Sequence, residues 1–195
     1  MDDRRLVRTS KYLSRHLRHD PGRLGLELEP GGWVAVDALL AACAAHRFPL
    51  SVDELRAVVE RNDKQRFSFD ASGTRIRANQ GHSVEVDLQL PARRPPATLF
   101  HGTAERSLPS ILRDGLHRAG RQHVHLSPDP ATAEAVGARH GRPVVLEVDA
   151  ARMAADGHAF VRADNGVWLV DAVPPGYLHP RGGYGPSGGA GSSAS

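Results

Sequence analysis

Between Leu6 and Leu17 the apolar residues Leu6, Tyr12, Leu13 and Leu17 return at helical spacing, and Pro21-Gly22 breaks the pattern. The spacing predicts a helix with Arg18 and His19 at its C-terminal end. Gly31-Gly32 precede the short run Trp33-Val34-Ala35-Val36, after which Asp37 is expected to cap a second helix through about Ala45. Ser51 and Glu54 stand at capping-box spacing and open a third helix through Leu55, Val58 and Val59. The period then changes to two. Residues Arg66 to Asp70 and Thr74 to Ala78 alternate and are joined by Ala71-Ser72-Gly73, which reads as a hairpin. Helices followed by a hairpin over residues 1–90 suggest a winged-helix arrangement, a fold often used to hold nucleic acid.

Residues 91–97, which include Pro91-Ala92-Arg93-Arg94-Pro95-Pro96, are rich in proline and charge and read as an interdomain linker. Beyond them, Leu99 to His101, Val124 to Leu126, Val144 to Val148, Ala159 to Val161 and Val167 to Val170 read as short strands. One intervening helix should cover about Leu108 to Arg113 and stop at Gly115. Another should be capped by Asp129, begin at Pro130 and run to about His140, with Gly141 after it. Residues 98–180 are thus expected to form a compact α+β unit. Residues 181–195, mostly Gly, Ser and Ala, have almost nothing to pack and are expected to be disordered.

Composition narrows the class. At 195 residues, 40% hydrophobic and 24% charged, the chain can bury the cores of one large or two small domains. A net charge of +3 with a pI near 9.5 permits a phosphate-bearing partner without demanding one. The lone Cys43, in an Ala-rich helix, can build neither a disulfide framework nor a cysteine-based zinc site. No run approaches the roughly 18 apolar residues of a membrane span. A soluble, cytoplasmic protein is expected, and a monomer.

Four clusters of polar residues are not explained by a core. The first runs from Ser10 to His19 and ends on Arg18-His19, where cations would also simply favour a helix C-terminus. The second, Asn62-Asp63-Lys64-Gln65-Arg66-Phe67, could equally be a solvated turn. The third, Arg77 to Ser83, places Gln80, His82 and Ser83 around a glycine, a set suited to hydrogen-bonding phosphate or ribose, although loops often look so. The fourth pairs His101-Gly102-Thr103 at a strand end with Arg121-Gln122-His123-Val124-His125-Leu126-Ser127. There glycine permits close approach of a ligand, and imidazole and hydroxyl can hold ribose hydroxyls or a diphosphate. His123 and His125 share a strand face, which raises a metal site as a weaker thought, since no carboxylate or cysteine cluster accompanies them.

Taken in order, Ser10-Lys11 with Leu17-Arg18-His19, the 62–67 cluster, Gln80-Gly81-His82-Ser83, His101-Gly102-Thr103 and Arg121 to Ser127 resemble the RNA 2'-phosphotransferase family, also called tRNA 2'-phosphotransferases. The resemblance spans about Ser10 to Asp171; any one motif is weak, but five in sequence are specific. It implies an N-terminal winged-helix lobe, a C-terminal lobe of ADP-ribosyltransferase fold, and an active site between them. It also implies transfer of an internal RNA 2'-phosphate, as at a tRNA splice junction or in RNA repair, to NAD as co-substrate. The products would be 2'-OH RNA, nicotinamide and ADP-ribose 1'',2''-cyclic phosphate. The catalytic tetrad implied is Arg18, His19, Arg66 and Arg121. NAD would be held by His101, Gly102, Thr103, His125 and Ser127, and RNA by Lys64, Gln80, His82 and Ser83, with no metal. Asn165-Gly166-Val167-Trp168-Leu169 lacks the glutamate of classical ADP-ribosyltransferases, which suits a nucleophile that arrives already ionised.

Two rival functions differ in observable ways. A winged-helix DNA-binding regulator would bind duplex DNA without NAD and release no nicotinamide. A one-step ADP-ribosyltransferase acting on protein or nucleic-acid ends would leave a stable ADP-ribosylated acceptor.

Overall fold

The computed structural model describes residues 1–61 and 64–182. Asn62, Asp63 and the tail from 183 on lie outside the described residues. The chain is a mixture of helix and strand.

Helix α1 (Asp3–Arg18) starts where the Asp2 side chain accepts from Arg5 N, and buries Leu13 and Leu17 completely. Strand β1 (Trp33–Ala35) leads directly into α2 (Val36–Ala45). The expected cap Asp37 is corrected: the N-cap is Ala35, without a side-chain bond. The backbone turns helical as soon as the strand ends, so Asp37 falls in the first turn, where its carboxylate meets the positive end of the helix dipole. Helix α3 (Val52–Glu60) carries the reciprocal Ser51/Glu54 capping box. Cys43 is fully buried in α2, and burial pushes its thiol up to about 11.

Strands β2 (Phe67–Phe69) and β3 (Arg75–Ala78) form the hairpin, and β1 joins on the other side of β3 in an antiparallel sheet of order β1-β3-β2. Ile76, Phe67 and Val34 turn inward against Leu13, Leu17, Leu39 and Leu55 to make one hydrophobic core.

Segment 91–96 is not a loose tether. Pro95 is buried and Arg93 N donates to Phe160 O at 2.8 Å, pinning the segment to the C-terminal half of the chain. Strand β4 (Thr98–Ala104) is followed by α4 (Leu108–Asp114), which ends at Gly115, and by the two-residue strand β5 (Leu116–His117). Strand β6 (Val124–Leu126) precedes α5 (Pro130–Gly137), whose N-cap Asp129 accepts from Ala131 N and Thr132 N. This helix stops short of the expected His140, because its last residues close into tighter turns, Arg139 N to Val136 O and His140 N to Gly137 O.

Strand β7 (Pro143–Asp149) alternates cleanly and pairs with β4 along its whole length. Helix α6 (Ala150–Ala155) comes next. The strand expected at 159–161 is shifted to β8 (Val161–Arg162), which pairs with β9 (Trp168–Val170); the short β10 (Ala172–Val173) pairs with β5, and β11 (Leu178–Pro180) with β7. The sheets have orders β11-β7-β4 and β6-β9-β8, and Phe100 and Ser127 exchange both backbone bonds at 2.8 Å where β4 and β6 meet. A second core, with Leu99, Leu126, Leu146, Val148, Met153 and Phe160, fills this half.

Bonds that stitch the two halves include Gln122 N to His82 O at 3.1 Å, Asn165 Nδ2 to Lys64 O at 3.4 Å, and an Arg77–Asp164 ion pair. Arg77 also lies over the Trp33 ring, 4.5 Å from its centroid.

Candidate functional site

Pro21-Gly22 ends α1 so that Arg18 is its last residue and His19 its C-cap. A cation satisfied by the helix dipole would hold its charge easily. Instead, burial first and the charges of Arg66 and Arg121 second pull the Arg18 guanidinium down to about 10. Its Nε and Nη2 are buried with no hydrogen-bond partner among the described residues. The chain after β3 explains the enclosure. Ser83 N and Val84 N donate to Arg18 O, and Gly81, at φ +90°, carries the backbone over the guanidinium; a Cβ there would stand 3.5 Å from Arg18 Nη1.

His19 is fixed by the same segment: its Nδ1 lies 2.9 Å from Ser83 Oγ. Burial, then Arg18 and Arg121, lower its pKa, so the ring is neutral at neutral pH. Arg66 enters from the turn before β2. Asn79 N donates to Arg66 O at 2.9 Å and Asn79 Nδ2 to Gln65 O at 2.7 Å, which holds that turn. Arg66 Nη1 reaches Ser10 Oγ at 3.5 Å. Its pKa is lowered by burial and then by Arg139, at the end of α5.

Arg121 comes from the loop before β6, and its Nη1 donates to His125 Nδ1 at 2.7 Å. That bond requires an unprotonated Nδ1, and burial together with Arg121, Arg18, His123 and His101 holds His125 down to about 3. His101 Nδ1 lies 3.1 Å from His125 O; a carbonyl only accepts, so Nδ1 donates and Nε2 is left as an acceptor. Burial lowers the His101 pKa, so its ring is neutral too.

The structure therefore brings Arg66 and Arg121 close enough to act on the buried Arg18, with His19 beside it and His125 and His101 chained behind Arg121. His82 is 1% exposed, so its ring lies beneath the site rather than open to solvent. Its causes of shift again begin with burial and continue with Arg18, His19, Arg77 and His123, holding it down to about 4. At Gly102 the side-chain direction is filled by α5: a Cβ there would lie 1.6 Å from Ala133 O. The Ser127 hydroxyl donates to Asp129 O and accepts from Asp129 N, shaping the entry to α5. Lys64 is exposed at the junction and Gln80 half-buried after Asn79. Sequence reasoning missed Asn79 as the support of the Arg66 turn, and Arg139, which nothing in its local pattern marks. His123 Nε2 is 4.0 Å from Asp171 Oδ1, and among the described residues no group of three His, Cys, Asp or Glu stands ready for a metal ion. Among them, too, no helix is long and apolar enough to cross a membrane.

The buried histidines set a pH dependence of stability. Folded pKa values near 4 for His82 and 3 for His125 lie below the unfolded value of about 6.5. The unfolded chain therefore takes up protons first as pH falls. Stability is full above about pH 6.5 and declines toward about pH 4. Urea unfolding at pH 7.5 and pH 5 should show a lower midpoint at pH 5, and His82→Asn should shrink the difference. Equal midpoints for the parent protein would refute this.

Arginine charges gathered around a buried guanidinium, beside neutral imidazoles, suit an anion that carries several oxyanion charges at once. A family model described as "RNA 2'-phosphotransferase, Tpt1 / KptA family" matches residues 4–172. The chain is 62% identical over 179 residues to "Probable RNA 2'-phosphotransferase" of Trichormus variabilis, covering 92% of this chain and 98% of the relative. Over 178 residues it is 62% identical to the protein so named in Herpetosiphon aurantiacus, covering 91% and 98%. The likewise named Streptomyces griseus protein is 56% identical over 189 residues, covering 93% and 100%. The protein is thus a transferase by class. It belongs to the RNA 2'-phosphotransferase (Tpt1 / KptA) family.

Proposed function

We infer that this chain is an NAD-dependent RNA 2'-phosphotransferase, moving an internal RNA 2'-phosphate to the ADP-ribose part of NAD. It releases nicotinamide, 2'-OH RNA and ADP-ribose 1'',2''-cyclic phosphate. The observation that carries this reading is the buried Arg18 guanidinium, drawn down by burial and by the charges of Arg66 and Arg121, a cluster that a multiply charged phosphate would neutralise. Arg18, Arg66 and Arg121 grip the phosphate oxygens, and His19, neutral and steadied by Ser83, exchanges a proton as the phosphate changes hands. His101 offers its Nε2 acceptor to a ribose hydroxyl of NAD. His125, Thr103 and Ser127, with the backbone at Gly102, complete the nucleotide side, and Lys64, Gln80 and Ser83 the RNA side. In this reading the three helices and hairpin sheet are a winged-helix lobe that presents RNA, and the half from β4 onward is an ADP-ribosyltransferase-like lobe that takes NAD.

The test is to incubate the protein with an RNA carrying an internal 2'-phosphate, with and without NAD, and follow both RNA and nucleotide products. Cyclic-phosphate ADP-ribose with 2'-OH RNA, only when NAD is present, is the expected result. Accumulation of ADP-ribosylated RNA would make it a one-step transferase, and absence of nicotinamide release would overturn the reading.

A further inference from the structure

Two of the tetrad arginines open onto different hollows. Arg66 lines a small one of about 180 Å³ beside α1. Arg121 lines an open groove of about 750 Å³ between the segment after β3 and the loop before β6, which also touches Ser83, Glu85, Asp87, Arg118 and Asp171. The two segments are tied together at Gln122 N to His82 O, and Ser83 ties the groove to His19. None of His101, Gly102, Thr103, His125 or Ser127 lines it.

The charges of this groove come from separate stretches of chain. Arg118 and Arg121, both exposed, belong to the loop, whereas Glu85 and Asp87 belong to the facing segment, with Asp171 from the turn after β9. A diphosphate would meet three carboxylates beside the two guanidiniums there, a lining that leaves no excess of positive charge for its several anionic oxygens. A single RNA strand suits the lining better, because its edges differ: phosphodiesters accept from guanidinium, while ribose 2'-hydroxyls and base amino groups donate to carboxylates. The volume suits one or two nucleotides.

Resting on the RNA 2'-phosphotransferase reading, the geometry points to this groove as the subsite for the nucleotides flanking the 2'-phosphate, with Arg118 holding a phosphodiester and Glu85 and Asp87 facing the sugar and base edge. It lets the enzyme grip a strand beyond the junction nucleotide itself.

Arg118→Ala tests the assignment, since the Arg118 contact within the chain is made by its backbone carbonyl, to Arg121 N, and survives the change. KM and kcat are measured on a dinucleotide with an internal 2'-phosphate and on a six-nucleotide RNA with the same group at its centre, over a series of salt concentrations. The expected result is a KM raised about tenfold on the longer RNA only. The slope of log KM against log salt should fall by about 0.7, the value for one single-strand phosphate contact. Equal effects on both RNAs, or none, would overturn the subsite while leaving the activity standing. A raised KM for NAD instead would assign the groove to the nucleotide co-substrate and overturn it too. If the parent protein turns over neither RNA, the functional reading itself fails and the subsite falls with it.

Discussion

Arg18→Met is expected to lower transfer of the 2'-phosphate by about 100- to 1,000-fold, the loss typical of removing one preorganised donor to a developing anion, without lowering the melting temperature. The two halves of this expectation share one cause. Burial and the charges of Arg66 and Arg121 pull Arg18 down to about 10, so the fold disfavours its charged form at neutral pH. Its Nε and Nη2 give up solvent without gaining a partner among the described residues. Methionine keeps the apolar stem and removes the cost. The guanidinium therefore works against stability, which under the proposed function is offset by the phosphate it binds. Arg18→Lys should fall between the two in activity, since an ammonium supplies charge without the planar fork. Steady-state turnover beside thermal unfolding decides the matter. Full activity in Arg18→Met would remove the anion role, and a collapse of the melting temperature would show that the guanidinium holds the fold together.

The second large effect lies in the scaffold. Gly102→Ala puts a methyl 1.6 Å from Ala133 O, 2.5 Å from Ala133 C and 3.0 Å from Gly137 N, all backbone atoms of α5. No rotamer can yield there, so helix and strand must separate. Forced overpacking commonly costs about 1–3 kcal/mol, and a clash against helix backbone belongs at or above the top of that range. Gly73→Ala is the control: at φ +72° with nothing within 4 Å, it suffers only backbone strain of about 1–2 kcal/mol. Denaturant unfolding should rank Gly102→Ala well below Gly73→Ala. Activity should fall further than stability, because displacing α5 from β4 disturbs the strand that carries His101 and moves Arg139, whose charge acts on Arg66. Equal stabilities for the two variants would mean that α5 can shift freely.

Much was written in the chain itself. The helical period from Leu6 to Leu17, stopped by Pro21-Gly22, placed Arg18 and His19 at a helix end, and the Ser51/Glu54 box and the Phe67–Ala78 hairpin formed as their local chemistry requires. These are short-range effects: capping, alternation and proline act over a few residues. The motif order likewise carried the family, since five short motifs in one order are specific where each alone is weak.

What the sequence could not decide were the outcomes of contacts between distant segments. Two-residue strands such as β5 and β10 have no period to detect; they are strands because they pair with each other. Asp37 lost its cap to Ala35 because β1 runs straight into α2, and α5 ended early in tight turns. Gly102 looked like room for a ligand, yet its neighbour is a helix 31 residues on, at Ala133. Arg18 at a helix end was ambiguous between a dipole-favoured surface cation and a phosphate ligand. Only the tertiary structure, by burying it and bringing up Arg66 from 48 residues and Arg121 from 103 residues along the chain, made its charge costly, which a dipole-favoured surface cation would not be. Local sequence sets which groups are available and on which element, whereas burial and the sum of distant charges, which determine how those groups behave, exist only once the chain has folded.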